Sequence, residues 1–504
     1  MRVLFDAKLL PVFLAHALGA SGLGGQTVDD ADAEVSGAEV ELTPCPAGQL
    51  GGPLGIETFL CGSYRVFEDR DAMTGRTIDL KITVVPAIAG DSAPGAPVFA
   101  LAGGPGEAAH NVMAGAYLTI GPDAMRNRDL VAVDIRGTGG SNPLDCPPLG
   151  PEDRVQSWLY YILPFDEAAR CAEALADRAD LTQYTTARAA DDVDEVREAL
   201  GYDRFVLWGG SYGTLLGQEI IRRHEPSVEA AVLLAIAPPG LHAPMGFARS
   251  LETTRERLIA DCAGDERCSE AFPTFADDFE AVLAAAREAP VEAVVTSPIN
   301  GEDEPVSLEY GDFVMGIRFV LYNAASAASM PGWIASARDG DHRPLMQAVA
   351  NAVYGIRQIL HYGLFLSMRC SEDLPFVDVE AERRDAAGTM LGTYRMDREL
   401  ENCTVWPRAP LYEGRHDAVE SDVPVLLLSG SEDPVTPPAY GDRVAATLPN
   451  ALHVVFENRG HGFFDPAGLT CLRNIAGQFL AGLSPVDTAC AAELERLPFR
   501  VAGG

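Results

Sequence analysis

Phe205-Val206-Leu207-Trp208-Gly209-Gly210-Ser211-Tyr212-Gly213-Thr214 is the stretch that decides the fold. Four apolar residues without polar alternation read as a strand covered on both faces, as in the interior of a parallel sheet. They run straight into a glycine pair, a serine and another glycine, and residues 214–223 beyond have helical character. A strand that turns sharply into a helix puts its central residue in strained dihedrals and brings neighbouring chain close, so the flanking positions must be small. Gly209, Gly210 and Gly213 meet that need. With 49 glycines in 504 residues, Gly-x-Ser-x-Gly alone is a weak pattern. Its position between a strand and a helix gives it weight.

Outward from this turn, short apolar runs recur. Residues 98–101 end at Gly103, 130–133 at Asp134, 423–428 at Gly430 and 454–456 at Gly460, while 230–234 end before Pro238-Pro239. Residues 78–85 alternate and read as a strand on the antiparallel side. Helical patterns lie between, as over 191–200, where Val193, Val196 and Leu200 share a stripe and Gly201 can cap the end. This alternation predicts an α/β fold, a mostly parallel sheet flanked by helices. It stops near Gly240 and resumes near Val423. The intervening chain is mainly helical, for example over 251–262, 275–286 and 344–360, with a hairpin whose arms are 291–295 and 306–308 around Asn300-Gly301. The expected organisation is a first core part over 40–240, an inserted cap over 241–415 above the carboxyl edge of the sheet, and a second core part over 416–504.

The start of the chain reads as an export signal. Arg2 and Lys8 flank an apolar stretch over 9–18, and Gly19-Ala20-Ser21-Gly22 offers a cleavage site, giving a signal peptide over 1–22 and a secreted or periplasmic protein. Ten cysteines, an even number with no Cys-x-x-Cys pair, agree with an oxidising compartment. Pairing of nearest neighbours, such as Cys262 with Cys268, is the expectation. Lys plus Arg number 38 against 73 Asp plus Glu, and a net charge of -35 argues against nucleic acid and anionic membranes as partners. No later segment offers about 18 uninterrupted apolar residues, so stable membrane insertion is not expected.

A serine hydroxyl needs a base to act as nucleophile. His461, in Asn458-Arg459-Gly460-His461-Gly462, follows the last strand, where such a base is required. The imidazole in turn needs an acid to hold its tautomer. Asp433, in Gly430-Ser431-Glu432-Asp433-Pro434, is the choice and Glu432 the fallback. A tetrahedral oxyanion needs preorganised backbone N–H donors. One is expected from Tyr212 and the other from Gly103-Gly104-Pro105-Gly106, where Pro105 has no N–H, Gly104 is favoured and Gly103 stands second. This chemistry needs no metal or organic cofactor, and neither His-Glu-x-x-His nor a Gly-rich phosphate loop is present to suggest one.

From about Cys61 to Cys490 the chain resembles the proline iminopeptidase and tripeptidyl aminopeptidase branch of the α/β-hydrolases, serine exopeptidases acting at peptide N-termini. The matching segments are Gly103-Gly104-Pro105-Gly106, Asp134-Ile135-Arg136-Gly137-Thr138-Gly139-Gly140-Ser141, Gly210-Ser211-Tyr212-Gly213-Thr214, Asp433-Pro434-Val435-Thr436-Pro437 and Gly460-His461-Gly462. Cys370-Ser371-Glu372-Asp373 resembles a cap segment of the secreted members. The resemblance implies peptide substrates with a free N-terminus. It also implies Glu372 as the partner of their ammonium group, with Asp373 and Glu107 behind it, and Arg136 as a structural ion-pair partner. Ala102, Ile135 and Ala235-Ile236-Ala237 depart from the branch, which often has His, Gln and Asp there. A carboxylesterase using the same three side chains is the first alternative, and a non-catalytic binding protein on the same scaffold the second. Oligomeric state has no signature in the sequence.

Overall fold

The computed structural model describes residues 40–46, 59–88 and 94–501. The expected signal segment, 1–22, lies outside them. Among the described residues the sheet strands are β1 (Thr43–Pro44), β2 (Leu60–Phe67), β3 (Thr77–Val85), β4 (Val98–Leu101), β5 (Leu130–Val133), β6 (Phe205–Gly210), β7 (Val228–Leu234), β10 (Val425–Gly430) and β11 (Ala451–Phe456). β8 (Val291–Thr296) and β9 (Asp303–Leu308) form a separate antiparallel hairpin, with Gly301 in its turn at φ +78°. The sheet order is β1-β2-β3-β5-β4-β6-β7-β10-β11. β1 to β3, and β3 with β5, pair antiparallel, and the remaining pairs are parallel.

The central strands are apolar throughout because two cores claim alternate residues. Phe99, Leu101, Val131, Val133 and Leu207 belong to the core on one face. Val98, Ala100, Leu130, Ala132, Val206 and Trp208 belong to the core on the other. The first core continues into the helices between β7 and β10, including Phe247–Gly264, Phe275–Glu288, Tyr310–Val320 and Arg343–Arg357. Helix Pro466–Leu480 closes the other face through Leu472 and Ile475.

After β4 the chain moves outward to β5, then returns past β4 to β6 and continues in the opposite direction. The loops after β4 and β6 therefore open at the point where strand order reverses, the place where open α/β sheets form their crevices. The runs read as strands lie within a few residues of those observed. β2 was not anticipated. Only Tyr64 and Val66 of it are buried, and Gly62, Ser63 and Arg65 interrupt its apolar pattern. Gly62 lets the chain just before β1 run close alongside, since a Cβ there would meet the Glu41 carbonyl at 2.9 Å.

All ten cysteines pair with their nearest neighbours, as expected: Cys45–Cys61, Cys146–Cys171, Cys262–Cys268, Cys370–Cys403 and Cys471–Cys490. Among the described residues no helix is long and apolar enough to cross a membrane.

Candidate active site

Ser211 sits between β6 and helix Tyr212–His224 at φ +55°, ψ −121°, a region L-residues rarely adopt. Its N–H donates to the Leu234 carbonyl at 2.9 Å, and its carbonyl accepts from the Thr214 amide and hydroxyl at 2.9 and 2.7 Å. Two of the flanking glycines are required by crowding. A Cβ on Gly209 would fall 2.5 Å from the Gly213 carbonyl oxygen, and one on Gly213 would fall 2.3 Å from that of Leu101. Gly210 is different: a Cβ there meets nothing within 4 Å, which corrects the expectation that all three must be small. Tyr212 opens the helix, so its amide has no intrahelical acceptor.

His461 and Asp433 meet at the ends of β11 and β10. His461 Nδ1 lies 2.7 Å from Asp433 Oδ2. The carboxylate is also fixed by the Val435 and Thr436 amides on Oδ1, at 2.8 and 3.0 Å, and by the Thr436 hydroxyl on Oδ2 at 2.7 Å. Burial pushes its pKa up, but the adjacent imidazole and these donors outweigh burial and hold it below the usual carboxylate range. Glu432, the fallback, faces elsewhere, paired with Arg257 at 3.2 Å and with Arg496. The His461 amide donates to the Tyr322 carbonyl at 3.0 Å, and the two rings lie 4.8 Å apart. Tyr322 lies between β7 and β10 with no motif around it, so nothing in the residue pattern signals this support. Among the described residues the Ser211 hydroxyl makes no hydrogen bond to His461. Such bonds are often long until substrate is in place.

The loop after β4 stands against the serine. A Cβ on Gly103 would be 3.6 Å from the Cβ of Ser211 and 3.5 Å from Glu107 Oε2. The Gly103 amide donates to Glu107 Oε2 at 3.3 Å. Gly104 is exposed, with φ +111°, a conformation natural to glycine. The Gly103 amide is thus engaged, whereas among the described residues the Gly104 amide donates to no protein acceptor. The His361 amide braces the loop by donating to the Gly106 carbonyl at 2.9 Å.

Glu107 has no ion-pair partner among the described residues, and burial pushes its carboxyl up to about 7 despite the Gly103 amide and the nearby His110. Glu372 is the reverse. Thr186 donates to it from both amide and hydroxyl, at 2.6 and 2.7 Å, and Arg415 adds an ion pair at 2.6 Å. The Thr186 hydroxyl also lies 3.1 Å from that of Tyr212. Both oxygens of Glu372 are committed to the protein, which corrects the expectation that this carboxylate stands free for a substrate ammonium. Asp373 is engaged by Arg369. Arg136 is wholly buried and bidentate to Asp192, at 2.6 and 2.9 Å, a structural partner as expected.

The chain matches a model of the alpha/beta hydrolase fold over residues 96–271 and a model of TAP-like proteins over residues 388–490. The first span holds Gly104 and Ser211, and the second holds Asp433 and His461. The chain is similar to the serine protease Hip1 of Mycobacterium tuberculosis, 26% identical over 461 residues, covering 84% of this chain and 85% of that protein. It is 27% identical over 469 residues to carboxylesterase B of the same organism, covering 86% and 87%. It is also 27% identical over 203 residues to the proline iminopeptidase of Neisseria gonorrhoeae, covering 38% and 53%. The chain thus has the α/β-hydrolase fold and is similar to TAP-like proteins and to proteins named as serine peptidases.

Proposed function

We propose that this enzyme is an exported serine aminopeptidase that removes one or a few residues from peptide N-termini through an acyl-enzyme. In this reading His461 takes the proton of Ser211, whose oxygen attacks the scissile carbonyl. The Tyr212 and Gly104 amides hold the oxyanion, and Asp433 keeps the imidazole oriented and stabilises its positive charge. His461 then protonates the departing amine, and water hydrolyses the ester with His461 again as base. The observation that carries the reading is the strained Ser211 at the end of β6 on the same sheet edge as the 2.7 Å His461–Asp433 contact. Five disulfides support export. The inserted segment, 241–415, is read as a cap that limits the substrate to a chain end.

Glu107 replaces Glu372 as the partner of the substrate ammonium. An ionised carboxylate beside the oxyanion donors opposes the transition state, and a substrate cation placed on it removes that opposition. The test is to compare aminoacyl substrates with free and N-acetylated amino groups. N-acetylation should lower kcat/KM by about tenfold to a hundredfold, the worth of a charge-assisted hydrogen bond. Similarity to a protein named carboxylesterase B favours a second reading, an esterase using the same three side chains. Equal rates for the two substrates would select it.

A further inference from the structure

Arg318, on helix Tyr310–Val320, has no exposed surface, and none of its three guanidinium nitrogens has a hydrogen-bond partner among the described residues. It is surrounded by rings. Its Cζ lies 4.7 Å from the centre of Phe247, 5.9 Å from Phe319 and 5.5 Å from Tyr322. Arg395 flanks the same Phe247 ring at 4.9 Å and adds a like charge. Glu399, the partner of Arg395, already serves Arg395 and Arg369. Asp433 is filled by His461, Val435 and Thr436. Stripping a guanidinium of water without giving it an anion is unfavourable. The rings repay part of that through cation–π attraction, but no carboxylate among the described residues is bonded to the guanidinium.

The location is as informative as the missing partner. The Tyr322 ring lies 5.5 Å from the Arg318 Cζ and 4.8 Å from the imidazole of His461, and it packs against both the small apolar cluster of Ala243, Phe247 and Val435 and the first main core. The unpaired cation thus stands behind the wall of the site on the side of His461, the residue that hands a proton to the departing amine. The unpaired carboxylate, Glu107, stands on the loop after β4, beside Ser211. A short peptide lying across the site in one direction carries the matching charges, an ammonium ahead of the scissile bond and a carboxylate beyond it.

We propose that Arg318 binds a carboxylate of the leaving group, so that the enzyme favours short peptides bearing a negative charge just beyond the bond it cleaves. The inference rests on the aminopeptidase reading. The carboxylate is the peptide C-terminus or an acidic side chain, and it reaches the guanidinium when the partly exposed Tyr322 ring turns aside. A planar guanidinium receives it through two parallel N–H donors.

Three peptides sharing the best-cleaved N-terminal part, with alanine, alaninamide or glutamic acid α-amide as leaving group, test this. The wild type should prefer alanine, glutamic acid α-amide or both over alaninamide by about tenfold to a hundredfold in kcat/KM. Preference for alanine identifies the C-terminus, and preference for the glutamate derivative identifies the side chain. Arg318→Met should reduce the preference to within about twofold and melt no lower than wild type, since it removes a buried unpaired charge. No preference in the wild type, an unchanged preference in Arg318→Met, or a variant that melts far below wild type would each overturn the inference. Absence of any peptide cleavage would instead sink the aminopeptidase reading. The anion site is then decided by glutarate, which should slow fluorophosphonate labelling of the wild type and leave Arg318→Met unaffected. Equal effects on both would overturn it.

Discussion

The loop after β4 and the segment Arg369–Asp373 each bring a carboxylate to the neighbourhood of Ser211, and the two acids have opposite fates. Glu372 is closed into a network with Thr186 and Arg415 that reaches the Tyr212 side chain under the turn. Glu107 holds one backbone amide and is otherwise unpaired among the described residues. The family resemblance made Glu372 the first candidate. The partners decide otherwise: a carboxylate already neutralised by a buried guanidinium has little to offer a substrate cation, whereas one raised in pKa by burial gains most from meeting one.

The comparison is open to direct tests. Glu372→Ala leaves Arg415 buried without its anion and should destabilise the fold by about 3–5 kcal/mol in a urea titration. The preference of the remaining folded enzyme for free over N-acetylated substrates should persist. A stable variant that lost this preference would return the ammonium role to Glu372. Glu107→Gln should do the converse, shrinking the preference by about tenfold to a hundredfold while the fold holds. Thermal melting against pH sharpens the same point. The Glu107 carboxyl is raised from the ordinary 4.5 to about 7, so ionising it weakens the folded state. The resulting disadvantage should be absent below the ordinary value, grow as pH rises between the two and stay constant above. Glu107→Gln should therefore melt a few degrees above wild type at pH 8 and alongside it at pH 4. A gap independent of pH would contradict the assignment. The smallest effect belongs to Gly210, where a Cβ meets open space: Gly210→Ala should change stability by about 0.5 kcal/mol or less.

Much of the fold was legible because its strands are covered on both faces. β4 and β5 could be bounded to the residue, since an apolar run with turn residues after it has few other meanings. The positions of Ser211, Asp433 and His461 followed from the same logic, each lying just beyond a strand end. β2 escaped because an outer strand buries only part of one face and its apolar pattern is broken. Partnership was the other thing out of reach. That Arg415 would neutralise Glu372, that Tyr322 would brace His461, and that Arg318 would be left with no anion all depend on side chains brought together from distant parts of the chain. A sequence names the groups that can ionise but leaves open which of them find each other.

The central claim is that Ser211 is activated by His461 and Asp433, and its most direct test is fluorophosphonate labelling of the folded enzyme followed by peptide mapping. One label is predicted, on Ser211, absent in Ser211→Ala and strongly slowed in His461→Ala. A folded wild-type protein that takes no label, or a label that survives Ser211→Ala, would contradict the account.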